Sequence, residues 1–134
     1  MSNQVVAHFL DGQLVKGISL DVVPGKPDCH IRTSDRGMVE VQLADLKALY
    51  FVKSLAGDST HEYAIEALAG DPRLAGSKRI SLTFKDGERL EALCNRYPPL
   101  GKHFFVLPVD ATGNTIRVLV NREAVVEMTG GGEQ

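Results

Sequence analysis

Long apolar runs are missing from this 134-residue sequence, which nowhere approaches the ~18 consecutive apolar residues of a membrane-spanning helix. The opening stretch, MSNQVVAHFLDG, has no basic region leading into an apolar one, so no secretory leader is expected. Cysteine is scarce: Cys29 and Cys94 each sit inside an apolar strand pattern, too few for a disulfide framework. A soluble protein of a reducing cytoplasm, without membrane contact, is the expectation.

A surplus of positive charge is also absent. Fifteen Lys and Arg stand against seventeen Asp and Glu, for a formal charge of −2 and a pI near 6.1, so no general field draws the chain toward nucleic acid or anionic lipid. Residues 1–53 carry six basic and six acidic residues, 54–77 one and four, and 78–134 eight and seven. The acidity therefore lies in the middle segment.

Motifs for chemistry are missing as well. Neither Gly-x-Gly-x-x-Gly nor Gly-x-x-x-x-Gly-Lys occurs, and Gly130-Gly131-Gly132 has no helix after it. Cys29 and His30 are neighbours on an expected strand and face opposite sides, and no Cys-x-x-Cys or His-x-x-x-His pattern completes a metal site. His8, His61 and His103 have no companion in the sequence. Cys94-Asn95-Arg96 lacks a nucleophile elbow, and Asp11 and Asp86 sit in tight turns where Asp caps backbone amides. No catalytic residue, metal or cofactor is expected, and the protein is read as a non-enzyme.

What is present is self-similarity. A slide of 75 places lays Val5–Gly12 over Ile80–Gly87, so that the two Phe-x-Asp-Gly tetrads coincide, and pairs Pro24 with Pro99 and Ile31 with Val106. Beyond Asp35 and Asp110 an offset of 77 matches Val39, Val41 and Leu43 with Ile116, Val118 and Val120. Each unit reads as five short strands. In the first these are Gln4–Leu10, Gln13–Val23, Asp28–Thr33, Met38–Leu43 and Lys47–Val52, with a helical turn at Ala44–Leu46. The second has Lys78–Phe84, Glu88–Tyr97, Lys102–Pro108, Thr115–Val120 and Ala124–Met128. Asp-Gly closes the first hairpin of each unit because Gly accepts positive φ. Gly17, inside a strand, points to a bend or bulge.

The reading is thus all-β, with two tandem five-stranded small barrels at 1–53 and 78–129, an acidic linker at 54–77 with at most one short helix at Glu62–Ala69, and a flexible tail at 130–134. Units of 50 to 60 residues are marginal alone and are expected to pack on each other or on a partner.

The Asp-Gly hairpin, long bent second strand and single helical turn resemble the small barrels of the SH3-like and Sm-like classes. Val-x-x-Phe-Leu-Asp-Gly with Gly17 looks like the opening Sm motif. An N-terminal helix and an Ile-Arg-Gly type of second motif are lacking, so RNA binding is not implied. FLDGQLVKGISLDVVPGKPDCHI and VQLADLKALYFVKSLAGD resemble a group of uncharacterised bacterial proteins with Phe-x-Asp-Gly and Asp-Leu-Lys-Ala motifs. That resemblance implies a bacterial origin and supplies no reaction.

Two features point to binding. Arg32-Thr33-Ser34-Asp35-Arg36 has the Arg-x-x-x-Arg spacing that opens the cyclic dinucleotide motif of PilZ barrels, where guanidinia grip phosphates. The companion Asp-x-Ser-x-x-Gly is absent. Tyr50-Phe51 and Phe104-Phe105 are adjacent rings, so one of each pair needs cover from the neighbouring module or from a partner. Tyr97 stands beside the rigid Pro98-Pro99. The candidate partner-binding residues are Tyr50, Tyr97, Phe104, Arg32, Arg36, Arg96 and Lys102. The expected function is that of an interaction module that binds a protein, or itself, in a signalling or regulatory assembly. The alternative is nucleic-acid or nucleotide binding by a barrel face, with Lys26, Arg32, Arg96 and Lys102 gathered on one side.

Overall fold

Ten strands build one antiparallel sheet in a computed structural model that describes residues 3–23, 25–55, 76–110 and 112–130. They are β1 (Asn3–Phe9), β2 (Leu14–Ser19), β3 (Asp28–Arg32), β4 (Met38–Gln42) and β5 (Leu46–Val52), then β6 (Lys78–Phe84), β7 (Arg89–Cys94), β8 (His103–Pro108), β9 (Thr115–Asn121) and β10 (Val125–Gly130). One 3-10 turn, Leu43–Asp45, leads into β5, and another, Arg122–Ala124, leads into β10. The expected linker at 54–77, including the helix at Glu62–Ala69, and the tail after Gly130 lie largely outside the described residues. No helix among the described residues is long and apolar enough to cross a membrane.

The strand order is β10-β6-β7-β8-β9-β5-β1-β2-β3-β4. Two separate closed barrels are therefore not what forms. Among the described residues no β4–β5 or β9–β10 pair closes either half, because the outer edge of β5 is taken by β9. One continuous sheet joins the halves. The second strand also ends earlier than expected, at Ser19 instead of Val23.

Backbone hydrogen bonds recur at two fixed offsets. Leu43 N–H donates to Pro27 O at 2.9 Å and Arg122 N–H to Lys102 O at 2.8 Å; Leu10 N–H donates to Asp45 O and Lys85 N–H to Ala124 O, both at 2.9 Å. Ile31 pairs with Val39 and Val106 with Val118. In chain order, the earlier members of corresponding pairs are 75 positions apart and the later members 79, so the expected offset of 77 in the later strands is corrected by two. An alternating strand fits itself again after a slip of two, which is why the apolar pattern allowed the wrong match.

The two Asp-Gly turns form as expected. Gly12 and Gly87 have φ near +93° and +92°, and Asp11 and Asp86 accept from the amides of Gln13 (2.9 Å) and Glu88 (3.0 Å). Gly17 makes no bulge: β1 and β2 pair in unbroken register through it. A Cβ there would stand 2.3 Å from Arg32 O and 2.7 Å from Ile31 Cγ2, so glycine is required by the close approach of β3.

Strand β5 reads Leu-Lys-Ala-Leu-Tyr-Phe-Val because it is covered on both faces. Leu46, Leu49 and Phe51 pack into the core of the first half with Val5, Ile31 and Val41, and Leu119 of β9 joins them from the second half. Ala48 and Tyr50 face the other way, into the core formed by Ile80, Leu82, Phe84 and Val118. Each half thus lends side chains to the other's interior.

Candidate interaction surface

Polar groups lock the seam between β5 and β9. Asn121 Nδ2 donates to Leu46 O at 2.8 Å, His103 Nε2 reaches Leu43 O at 3.2 Å, and Asn114 exchanges side-chain hydrogen bonds with the backbone of Ser54 at 3.0 and 2.9 Å. Lys47 projects from the irregularity where β1 meets β5 and binds Asp86 at 2.8 Å and Glu88, with its ammonium 4.8 Å from the Phe84 ring centroid. Burial opposes its charge, but the two carboxylates outweigh that and raise its pKa, while its hydrogen bond holds Asp86 below the ordinary carboxylate value. The His8 ring lies tilted against Tyr50, with centroids 4.4 Å apart, and burial, then Lys47, lowers its pKa. Burial and the carboxylates push the Tyr50 phenol far up. This cluster is a structural clasp across the halves. Sequence reasoning missed it because Lys47 and its partners are about 40 positions apart.

The expected need to cover adjacent rings is met here. Phe51 and Phe105 lie 5.7 Å apart across the seam, and the Arg117 guanidinium stands 4.3 and 4.5 Å from their centroids. Tyr50 is half-buried in the second core, and Phe104 is buried beneath Arg122 at 5.2 Å.

The outer ends of the sheet differ from its interior. Among the described residues β4 pairs only with β3, and β10 only with β6. Beside β4 a groove of about 410 Å³ is lined by Ile18, Leu20, Asp21, His30, Arg32 and Met38. Ile18, Arg32 and Met38 form one cross-strand row. Leu20 and Met38 are 73 and 63 % exposed. Asp21 organises the floor: it accepts from the His30 amide at 2.9 Å and meets His30 Nδ1 at 2.7 Å. The His30 backbone and ring bring the Asp21 pKa down to about 2, and the Asp21 carboxylate raises that of His30. Met38 was legible as an outward apolar residue, since Met38, Glu40 and Gln42 share one face of an alternating strand.

A second groove, about 490 Å³, includes Leu93, Asn95, Arg96, Phe104, Phe105 and Leu107. Arg96 and Phe104 meet there, whereas Arg32 lines the first groove. Arg36 is exposed in the β3–β4 turn with its amide on Thr33 Oγ1 at 2.9 Å, and Lys102 is exposed in the loop before β8. Tyr97, half-buried and followed by a cis bond to Pro98, donates its hydroxyl to Met128 O at 3.3 Å, and its ring lies on Gly130. The seven candidates are thus divided among the seam, two grooves, a sheet end and two exposed loops. Cys29 is buried, with its thiol pKa raised to about 11, chiefly by burial. No group of three potential metal-ligating His, Cys, Asp or Glu side chains occurs among the described residues.

The fold and these surfaces define an all-β protein built on a single open sheet whose two ends are unpaired among the described residues. The chain belongs to a family of unknown function, DUF6982, whose family model matches residues 1–130. Comparison with curated proteins and with solved structures returned no match.

Proposed function

We propose that this chain is a non-enzymatic interaction module, a duplicated five-stranded unit that binds a protein partner by strand addition at β4. The recurrence of backbone bonds at offsets 75 and 79 supports the duplication. One observation carries the binding reading: among the described residues nothing pairs with the outer edge of β4, a row of backbone donors and acceptors beside a groove containing exposed Leu20 and Met38. An added strand gains main-chain hydrogen bonds from the edge and side-chain selectivity from the groove. Edges of this kind are ordinarily blunted or covered, so an uncovered one next to an apolar groove has a use.

Nucleic acid fits this surface less well, because Arg32 shares its groove with the Asp21 carboxylate and Arg96 lines the other groove. A photo-crosslinking residue placed at Met38 in producing cells tests the reading. Adducts to an extended segment of protein, mapped by mass spectrometry, are expected. Adducts to nucleic acid alone, or no adducts, overturn it.

A further inference from the structure

We infer that the strand added to β4 is β10 of a second copy of this chain, so that copies join head to tail into one continued sheet. The inference rests on strand addition at β4 and names the partner.

The seam inside the chain is the template. β5 and β10 occupy equivalent places, each entered from a 3-10 turn and paired with the first strand of its half; β4 and β9 are likewise equivalent, each paired with the third strand. β5 already pairs with β9. What remains open among the described residues at the two ends of the sheet is a β5-type edge, on β10, and a β4-type edge. The chain therefore contains one completed joint and both halves of another.

The registers specify that joint. Within the chain Leu49 faces Leu119, Tyr50 faces Val118 and Phe51 faces Arg117. Shifted by 79, these become Met128 opposite Glu40, Thr129 opposite Val39 and Gly130 opposite Met38 of the next copy. The side chains fit these positions. Arg117 lies over the Phe51 ring in the seam, and at the corresponding Gly130 the Tyr97 ring occupies the space over the backbone. Exposed Met38 would meet that ring, a favourable sulfur–aromatic contact. Leu43 and Leu119, which share the first core, are replaced by Arg122 and Glu40, of opposite charge. Asn121, whose amide holds Leu46 O, is replaced by Gln42, a second carboxamide whose Nε2, now 3.4 Å from Glu40 Oε2, would turn to Val125 O.

The Lys47 clasp has no counterpart. Val126, 62 % exposed, takes its place, with Asp11 and Gln13 in the positions of Asp86 and Glu88. Contacts between copies are consequently weaker than the seam and depend on concentration. A head-to-tail joint repeats until it closes into a ring or runs on as a filament.

Thr129→Cys and Val39→Cys, made in separate chains, test the joint; Cys29 and Cys94 are buried and stay in place. Under mild oxidation the mixture should give a disulfide dimer that neither variant forms alone, and a chain carrying both substitutions should give a ladder. Sedimentation of the unsubstituted protein should show species larger than one chain as concentration rises. Cross-linking of Val39→Cys to itself would overturn the inference in favour of a symmetric β4–β4 contact. A monomer that forms no disulfide, while Met38 crosslinks to a different protein, would overturn the inference and leave strand addition standing. Absence of both kinds of adduct would remove both.

Discussion

Gly17 and His30 show two ways in which single residues shape this molecule. At Gly17 the constraint is space: an added methyl meets the Arg32 carbonyl, a backbone atom that cannot rotate away. Gly17→Ala is expected to cost about 3 kcal/mol, the upper range for overpacking, measured by urea unfolding. A loss below about 0.5 kcal/mol would show that β3 yields. At His30 the constraint is charge. Its raised pKa means that protonation favours the fold; that contribution is complete below the unfolded value near 6.5 and is lost as pH rises through the higher folded one. The His30 ring should titrate above 6.5 by NMR, and Asp21→Asn should bring the midpoint down. Asp21 runs the opposite way. Its stabilising effect holds above its ordinary value of 3.8 and fades as pH falls toward about 2.

Among the elements, β5 is the one that joins the halves, and Lys47 is its polar clasp. A double-mutant cycle of Lys47→Ala with Asp86→Asn should return a coupling of about 1 kcal/mol, modest because the Asp86 side chain is 56 % exposed and screened. A coupling indistinguishable from zero would show that the Lys47–Asp86 pair contributes nothing to the seam. The strands themselves were legible because residues such as Met38 to Gln42 alternate and Asp-Gly marks the turns. Their partners across the halves were not. Tyr50-Phe51 announced that both faces of β5 need cover, but alternation within one strand carries no information about a neighbour in the sheet. The Asp21–His30 pair was hidden for a related reason, since a loop had to fold back on β3 to bring the two together.

For the whole molecule, the shared cores matter most. Leu119 completes the interior of the first half while Ala48 and Tyr50 serve the second, so neither interior is whole without the other. The chain should unfold in one cooperative transition, with calorimetric and van't Hoff enthalpies equal. A fragment of residues 1–55 should show no cooperative transition by circular dichroism. Two separable transitions would mean that the halves are independent. The residues proposed for binding were the least legible part of the sequence. Tyr50 and Phe104 proposed themselves as rings needing cover and are used up inside, whereas the sheet ends acquire their meaning only from the strand order.

The β5–β9 seam also sets a clock. Ala48 pairs with Val120, 72 positions later, so the joint cannot close until β9 has been made. At about 5 to 20 residues per second of synthesis, β5 waits roughly 4 to 14 seconds with its edge uncovered. During that interval β9 of another nascent chain competes for the same place. Crowded synthesis would then yield molecules whose halves have been exchanged, and slow dilution from denaturant should favour the correctly closed monomer over such swapped pairs.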